Sequence, residues 1–387
     1  MTYLSRLAKL GVAKETTPNT WLAPTVSVPF STAKYVNMID QNRDESVRAN
    51  DAVLQGIVQG VAYATWEIES NSYADLIGHW LRAMIGPDTV TPGVSTTLAA
   101  NCAAGATSIS LTATVPANSI LQISDASGAN LEWVQVGTVT GTGPYTAPVT
   151  TPAAGTKYAH TAAGGAVLSQ STHLFKQNRS FATVWPTYSF TTDDGASQLG
   201  WPGCVMSELA LKIDPKGLVT WGPKFTGFPS ITEATFAYAA SAVQPVQGWA
   251  WTCTNAGAAS TRGLTMDITM KRAVDAINSS DGTQGPREVF PGAMEIDGTY
   301  KAIYENLTDY NLYANAVQTP TVHTLTQPVA TGGAVIAVTM SQSGYTTGAV
   351  DLGSTYVQSS YGVSGIANTT DSGITQVTLK NFQSASY

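Results

Sequence analysis

Charge is what this sequence has least of. Nineteen Lys and Arg with twenty-six Asp and Glu make up 12% of the 387 residues, about half the share of roughly 25% usual in soluble domains. Long amphipathic helices draw on repeated Glu, Lys, Arg and Leu at a 3.6-residue period, and almost no window here supplies them. A net charge of -7 also leaves little with which to hold nucleic acid, since that grip rests on phosphate neutralisation by Lys and Arg. Long hydrophobic runs are missing too. No segment reaches the ~18 apolar residues of a membrane span, so no membrane partner is expected. The start, Met1-Thr-Tyr-Leu-Ser-Arg-Leu, lacks the apolar core and cleavage site of a signal peptide. The chain therefore reads as made in the cytoplasm, and the Asn-x-Ser/Thr tripeptides at Asn178, Asn278, Asn306 and Asn368 as chance matches. Cys102, Cys204 and Cys253 are an odd, widely spaced set without a CxxC pair. They argue against a disulfide framework and against zinc, and read as buried thiols.

What is there instead is apolar and aromatic. Hydrophobic residues are 43% of the chain, with 9 Trp, 16 Tyr and 9 Phe, too many for disorder. The length suits two domains or one large one. Strand periodicity or strand-forming composition recurs in Trp185–Thr192, Val205–Ile213, Gly217–Gly222, Leu264–Lys271 and Gly333–Met340, mostly between Gly, Asp or Pro turns. From Gly60, Val61, Tyr63, Thr65 and Glu67 alternate with Ala62, Ala64, Trp66 and Ile68, as in a strand with two unlike faces. The period changes in Ser72–Ile85, where Tyr73, Leu76, Ile77, Trp80, Leu81 and Met84 fall at helical spacing. Ser72 is the expected cap, Asp75 its capping-box partner and Gly86-Pro87 the stop. A second, weaker helix is expected over Tyr300–Leu312. So many open antiparallel strands leave sheet edges to cover, and an oligomer is a common solution.

Two stretches depart from the average. Asp40, Arg43, Asp44, Glu45, Arg48 and Asp51 place six charges in twelve positions, which reads either as a solvated loop or as a contact arm to another subunit. Residues 94–167 hold only Asp125, Glu132 and Lys157 as charges. Short strand-like pieces alternate there with turns, as in a small β-sandwich or barrel. The expected organisation is a domain split into 1–93 and 168–387 by an inserted small β domain, 94–167.

No catalytic constellation is visible. His79, His160, His173 and His323 are scattered, and no HExxH, GxSxG or phosphate-binding loop occurs. Neither an enzyme nor a bound cofactor or metal is expected.

The order of the pieces is more informative than any one of them. Gly11-Val-Ala-Lys-Glu-Thr-Thr-Pro-Asn-Thr20 is followed by strands and a short helix ending Leu-Arg-Ala-Met-Ile-Gly86. The chain then returns through His173-Leu-Phe and Trp185-Pro-Thr-Tyr-Ser-Phe190. Gly203-Cys-Val-Met-Ser-Glu-Leu-Ala-Leu211, Leu264-Thr-Met-Asp-Ile-Thr-Met-Lys-Arg272 and Ile374-Thr-Gln-Val-Thr-Leu-Lys-Asn-Phe382 come after. This succession resembles the tail tube (major tail) proteins of long-tailed bacteriophages, and the insert looks like an immunoglobulin-like or other small β decoration. The resemblance implies a mainly β fold, a tail-tube β-sandwich or barrel with a flanking α-helix. It also implies a structural virion protein whose homohexameric rings stack into a conduit for genome ejection. Its partners would be its own copies, the tail tip, tape-measure and tail terminator proteins, and phage DNA passing without specific binding. The insert is then expected on the outer wall. Asp40, Arg43, Asp44, Glu45, Arg48 and Asp51 become an inter-ring contact loop, and Glu67, Glu69 and Asp267 candidates for lumen-facing acids, although the sequence leaves open which strands face the lumen. A sheath or decoration protein and a carbohydrate-binding tail adhesin remain alternatives.

Overall fold

The computed structural model describes all residues except 1–3, 50, 126, 127, 129, 164, 178, 179, 181–183, 233–235, 240 and 242; the tripeptide at Asn178 thus lies outside the described residues. The chain is mainly β, and the described residues form one connected eighteen-stranded antiparallel system, a separate six-stranded sheet and two short helices.

Eight consecutive neighbours make the broad sheet that matters most for function: Thr32–Asp44, Gly56–Asn71, Thr220–Gly227, Gln198–Ile213, Gly263–Ile277, Glu288–Ile303, Gln358–Gly365 and Val335–Asp351. Gln198–Ile213 also belongs to a second layer, pairing through residues 198–204 with Tyr188–Asp193. That strand in turn holds the N-terminal strand Lys9–Lys14. The register shift next to Ser207 lies where the strand passes into the broad sheet, as a bulge that bends a strand should.

One face of the broad sheet is closed by core. Ala62, Ala64, Trp66 and Ile68 are buried while Glu67 and Glu69 are exposed, so the alternation in the sequence does separate two faces. Trp66 packs edge-on to Trp201 at 4.7 Å and stacks on Phe190 at 5.2 Å, and Phe190 meets Phe225 at 4.8 Å. These rings join the two layers. Helix α1 (Ile77–Ile85) lies over them with Ile77, Trp80, Leu81, Met84 and Ile85 buried. Its last turn is held from outside, where buried Arg272 donates to the Met84 carbonyl and stacks on Trp185 at 4.1 Å.

The helix begins four residues later than a cap at Ser72 implies. Ser72 is not its cap, because its backbone is already used, donating to Val219 O and accepting from Val246 N at 2.8 Å each. Asp75 accepts from Ser241 instead. Gly86, at φ 126°, ends the helix as expected. The second expected helix is displaced further: Tyr300–Ile303 close the strand Glu288–Ile303, and α2 covers Thr308–Ala314. Tyr300 is buried beside Ser260 and Cys253, so its apolar contact is made in the sheet.

Between residues 95 and 169 the chain builds the six-stranded sheet, in the order Ser95–Thr97, Ala166–Ser169, Ile120–Ser124, Glu132–Val136, Tyr145–Thr151, Ser108–Leu111. It curls until its two ends nearly meet, at a bridge between Leu98 and Leu111. Inside are Leu98, Leu111, Leu121, Ile123, Val134, Val136 and Val167, a core separate from the main one. The unit rests on the main body at the turn before Val335. There Gln170 donates to Gly333 O at 2.8 Å, and Gly333, at φ 62°, leaves no room for a Cβ, which would come within 2.5 Å of Ile120.

Candidate assembly surfaces

The charged polar stretch is half strand and half loop. Asp40, Arg43 and Asp44 are in the Thr32–Asp44 strand, and Glu45, Arg48 and Asp51 are in the connection to Gly56–Asn71. The expectation of a loop throughout is corrected accordingly. Its charges pair locally: Arg43 Nε lies 3.1 Å from Glu45, Arg48 bonds Asp44, and Ser46 donates to Asp44 through both its hydroxyl and its backbone N–H, which holds that carboxyl below its usual range.

What the charges flank is apolar and open on both sides. In a strand, neighbouring side chains point to opposite faces, yet Ile57 and Val58 are 59% and 62% exposed. Val36, Met38, Ile39, Val47, Val53 and Leu54 are exposed as well. This hairpin is therefore a projecting arm, uncovered on either face. Its root is braced where Gln284 donates to Gly60 O and accepts from Ala62 N through its own carbonyl. Among the described residues nothing pairs with the outer edge of Thr32–Asp44. At the opposite margin of the sheet, residues 345–351 pair, among the described residues, on one side only, with Gln358–Gly365. Helix α2 leans on them, with the Tyr313 ring over Gly348. Leu307, Tyr310, Val317, Val350, Leu352 and Tyr356 are exposed there. The sheet thus has two unfinished margins, each fringed with apolar side chains, which is costly in a lone subunit.

The face opposite α1 is open and carries charge in a regular order. Reading across the strands, Lys34 stands opposite Glu67, Glu67 opposite Lys224, Lys224 opposite Glu208, Glu208 opposite Lys271 and Lys271 opposite Glu295. Lys224 reaches Glu208 at 3.0 Å, and Lys271 reaches Asp297 at 2.9 Å and Glu295 at 3.6 Å. The Asp297 carboxylate raises the Lys271 pKa, and Ser364 and Lys271 together lower that of Asp297. A second pair, Lys212 opposite Asp267, lies beside the row, and Glu69 accepts from Thr32 at 3.2 Å. Opposite charges facing each other across strands favour this register over one that would bring like charges together. Glu67, Glu69 and Asp267 thus share this one face, although they come from strands two hundred residues apart.

The sequence matches the phage tail tube protein family over residues 5–379. The chain belongs to that family. It is accordingly a structural protein of a phage virion tail and not an enzyme, and self-assembly into a tube is the role the family implies. No curated protein matches the chain.

Polar clusters inside this tail tube protein serve packing. His160, dispersed in sequence from any carboxylate, is fully buried between Asp125 at 3.1 Å and Glu132 at 2.6 Å, one on each ring nitrogen. His173 is buried between Asp88 at 2.7 Å and Gln383 O at 2.9 Å. Each ring nitrogen faces a different acceptor, so neither ring is arranged to share a metal ion with its neighbours. Among the described residues no group of His, Cys, Asp and Glu has the makings of a metal site. The three cysteines are free and buried. Among the described residues no helix is long and apolar enough to cross a membrane.

Proposed function

We propose that copies of the chain close head-to-tail into six-membered rings, that the rings stack, and that the open charged face lines a lumen through which the genome leaves. The observation that carries this is the pair of unfinished margins. They are unlike one another, so the contact they favour is heterologous, and a heterologous contact whose rotation closes produces a ring. Pairing the root of the Thr32–Asp44 edge, before Asp40, with residues 345–351 of the next copy would continue the sheet and cover the apolar side chains at that junction.

The arm reaches beyond the sheet and is the natural contact between stacked rings, with Asp40, Arg43, Asp44, Glu45, Arg48 and Asp51 setting register. The curled 94–167 unit, far from these margins in sequence and separate in core, is read as an outer-wall decoration. Tail tip, tape-measure and terminator proteins would occupy the tube ends and interior and set its length. Negative-stain micrographs of the purified protein are expected to show hollow stacked rings. Reversing the sign of Arg43 and Arg48 together should leave a folded subunit that no longer polymerises. Tubes of normal length from that variant would remove the arm from the ring-to-ring contact, and discrete monomers from the wild-type chain would count against the tube reading as a whole.

A further inference from the structure

The lysines of the open face present a problem for a conduit. Lys34, Lys224 and Lys271 recur on every second strand of the row, which spaces them ~10 Å apart at the usual separation of strands. All three point away from the core side, and such a file of ammonium groups would bind a passing polyanion by releasing its counter-ions. Each one, however, has carboxylates as its cross-strand neighbours. Glu67 stands between Lys34 and Lys224, Glu208 between Lys224 and Lys271, and Glu295 beyond Lys271, with Asp297 on the diagonal.

We propose that this face is a contact surface for double-stranded DNA in passage, and that Glu67, Glu208 and Glu295 act as built-in counter-ions that keep its lysines from the phosphates. The inference rests on the lumen reading above and adds what the lining does. A purely acidic face would repel the duplex toward the centre, and an apolar face would offer no hydration layer. A compensated row stays hydrated and presents no net charge of either sign along its length. A phosphate approaching Lys224 finds a carboxylate at 3.0 Å already there. To bind, it must displace a partner that is held on the same sheet at no entropic cost, so the lysine returns to its own acid as the phosphate moves on. The remaining acids of the face, Glu69, Asp267 and Asp297, outnumber Lys212 and Lys301 and tilt the balance toward release.

The test uses the unassembled subunit with a random-sequence duplex as probe. Wild-type protein is expected not to retain the duplex at low salt. The Glu67→Gln, Glu208→Gln, Glu295→Gln variant frees Lys34 and Lys224 of their facing carboxylates and leaves Lys271 with Asp297 alone, without changing side-chain size on an exposed face, and should bind in the non-specific range of ~10⁻⁴–10⁻⁶ M, with a logarithmic salt slope of about -2 for two phosphates. Adding Lys34→Gln, Lys224→Gln and Lys271→Gln to that variant should abolish the gain. No gain in the triple variant would overturn the counter-ion role, whatever the location of the face. Location is read separately from Glu67→Cys in assembled tubes, against a background of cysteines that are all buried. Protection from a bulky maleimide polymer, with reaction toward a small maleimide, supports a lumenal face. Reaction with the bulky reagent would show that the face is outside, and the proposal of DNA contact would fall with the lumen reading even if the triple variant binds.

Discussion

His323 is fully buried, stacked on Trp251 at 5.9 Å, with neither ring nitrogen partnered among the described residues. Burial pushes its pKa down from 6.5 to about 4. A histidine depressed in this way is neutral in the folded chain at every pH above that value, whereas the unfolded chain takes up the proton once pH falls below 6.5. Its contribution to stability is therefore complete above about pH 6.5 and is lost progressively as pH falls toward 4, to the extent of about 2 kcal/mol between pH 7 and pH 5. His323→Leu removes the titration and two unpaired polar atoms at similar volume. The stability difference between variant and wild type, from urea unfolding of the unassembled subunit, should move by about 2 kcal/mol in the variant's favour over that interval. An unchanged difference would mean that water reaches the ring. Glu15 is the complementary case of a buried charge fully provided for, accepting from Thr187, Ser189 and the N–H groups of Gly203 and Asn19 at 2.6–2.8 Å. Nothing in the local sequence marks it, since all but one of its donors come from more than 170 residues away.

Among the elements, the legible ones have one wet face and one dry face. Gly56–Asn71 announces itself because Trp66 and Ile68 alternate with Glu67 and Glu69, and α1 because Trp80, Leu81 and Met84 fall on one side. Thr32–Asp44 is legible as strand only by composition, in residues 35–39, and does not alternate, since Val36, Met38 and Ile39 are exposed along with Asp40 and Arg43; a strand open on both faces has no burial pattern to imprint on its residues. The start of α1 was obscured for another reason, as Ser72 has the chemistry of a cap but its backbone belongs to a ladder with Val219 and Val246. The charge row was invisible because each of its neighbours lies on a different strand, joined by register alone. A test at this scale follows from Gly78 in α1, where a Cβ would lie 2.1 Å from the Tyr387 ring. Gly78→Ala should displace the C-terminal segment that carries Tyr387 and cost ~1–3 kcal/mol, visible as a lower melting temperature and as new exposure of Tyr387. A melting temperature equal to wild type would show that the ring moves aside freely.

For the molecule as a whole, the six-stranded unit has its own core and enters and leaves the main body at neighbouring points, with Gly93 close against Ser169. Replacing residues 94–167 by a short linker is expected to leave tube assembly intact. It should also lower the melting temperature, because Gly333 and the turn around it lose Ile120 as a cover. A folded deletion variant that fails to polymerise would assign the unit to the subunit contact. In the sequence the stretch is marked only by the drop in charge after residue 93. Its docking on Gly333 has no such mark, since it depends on a close approach between residues two hundred positions apart.

The strand Gln198–Ile213 is shared by both layers of the body, bonded in one to Tyr188–Asp193 and in the other to Thr220–Gly227 and Gly263–Ile277. Prising the layers apart would mean dragging that one strand lengthwise through all of these ladders at once, a shearing failure in which many bonds must break together. Parting two copies along a margin can proceed by peeling, one bond after another. Under the pressure and flexing of a tail in use, the wall should therefore yield at the seams between intact subunits, and each subunit should come away whole and able to be fitted again.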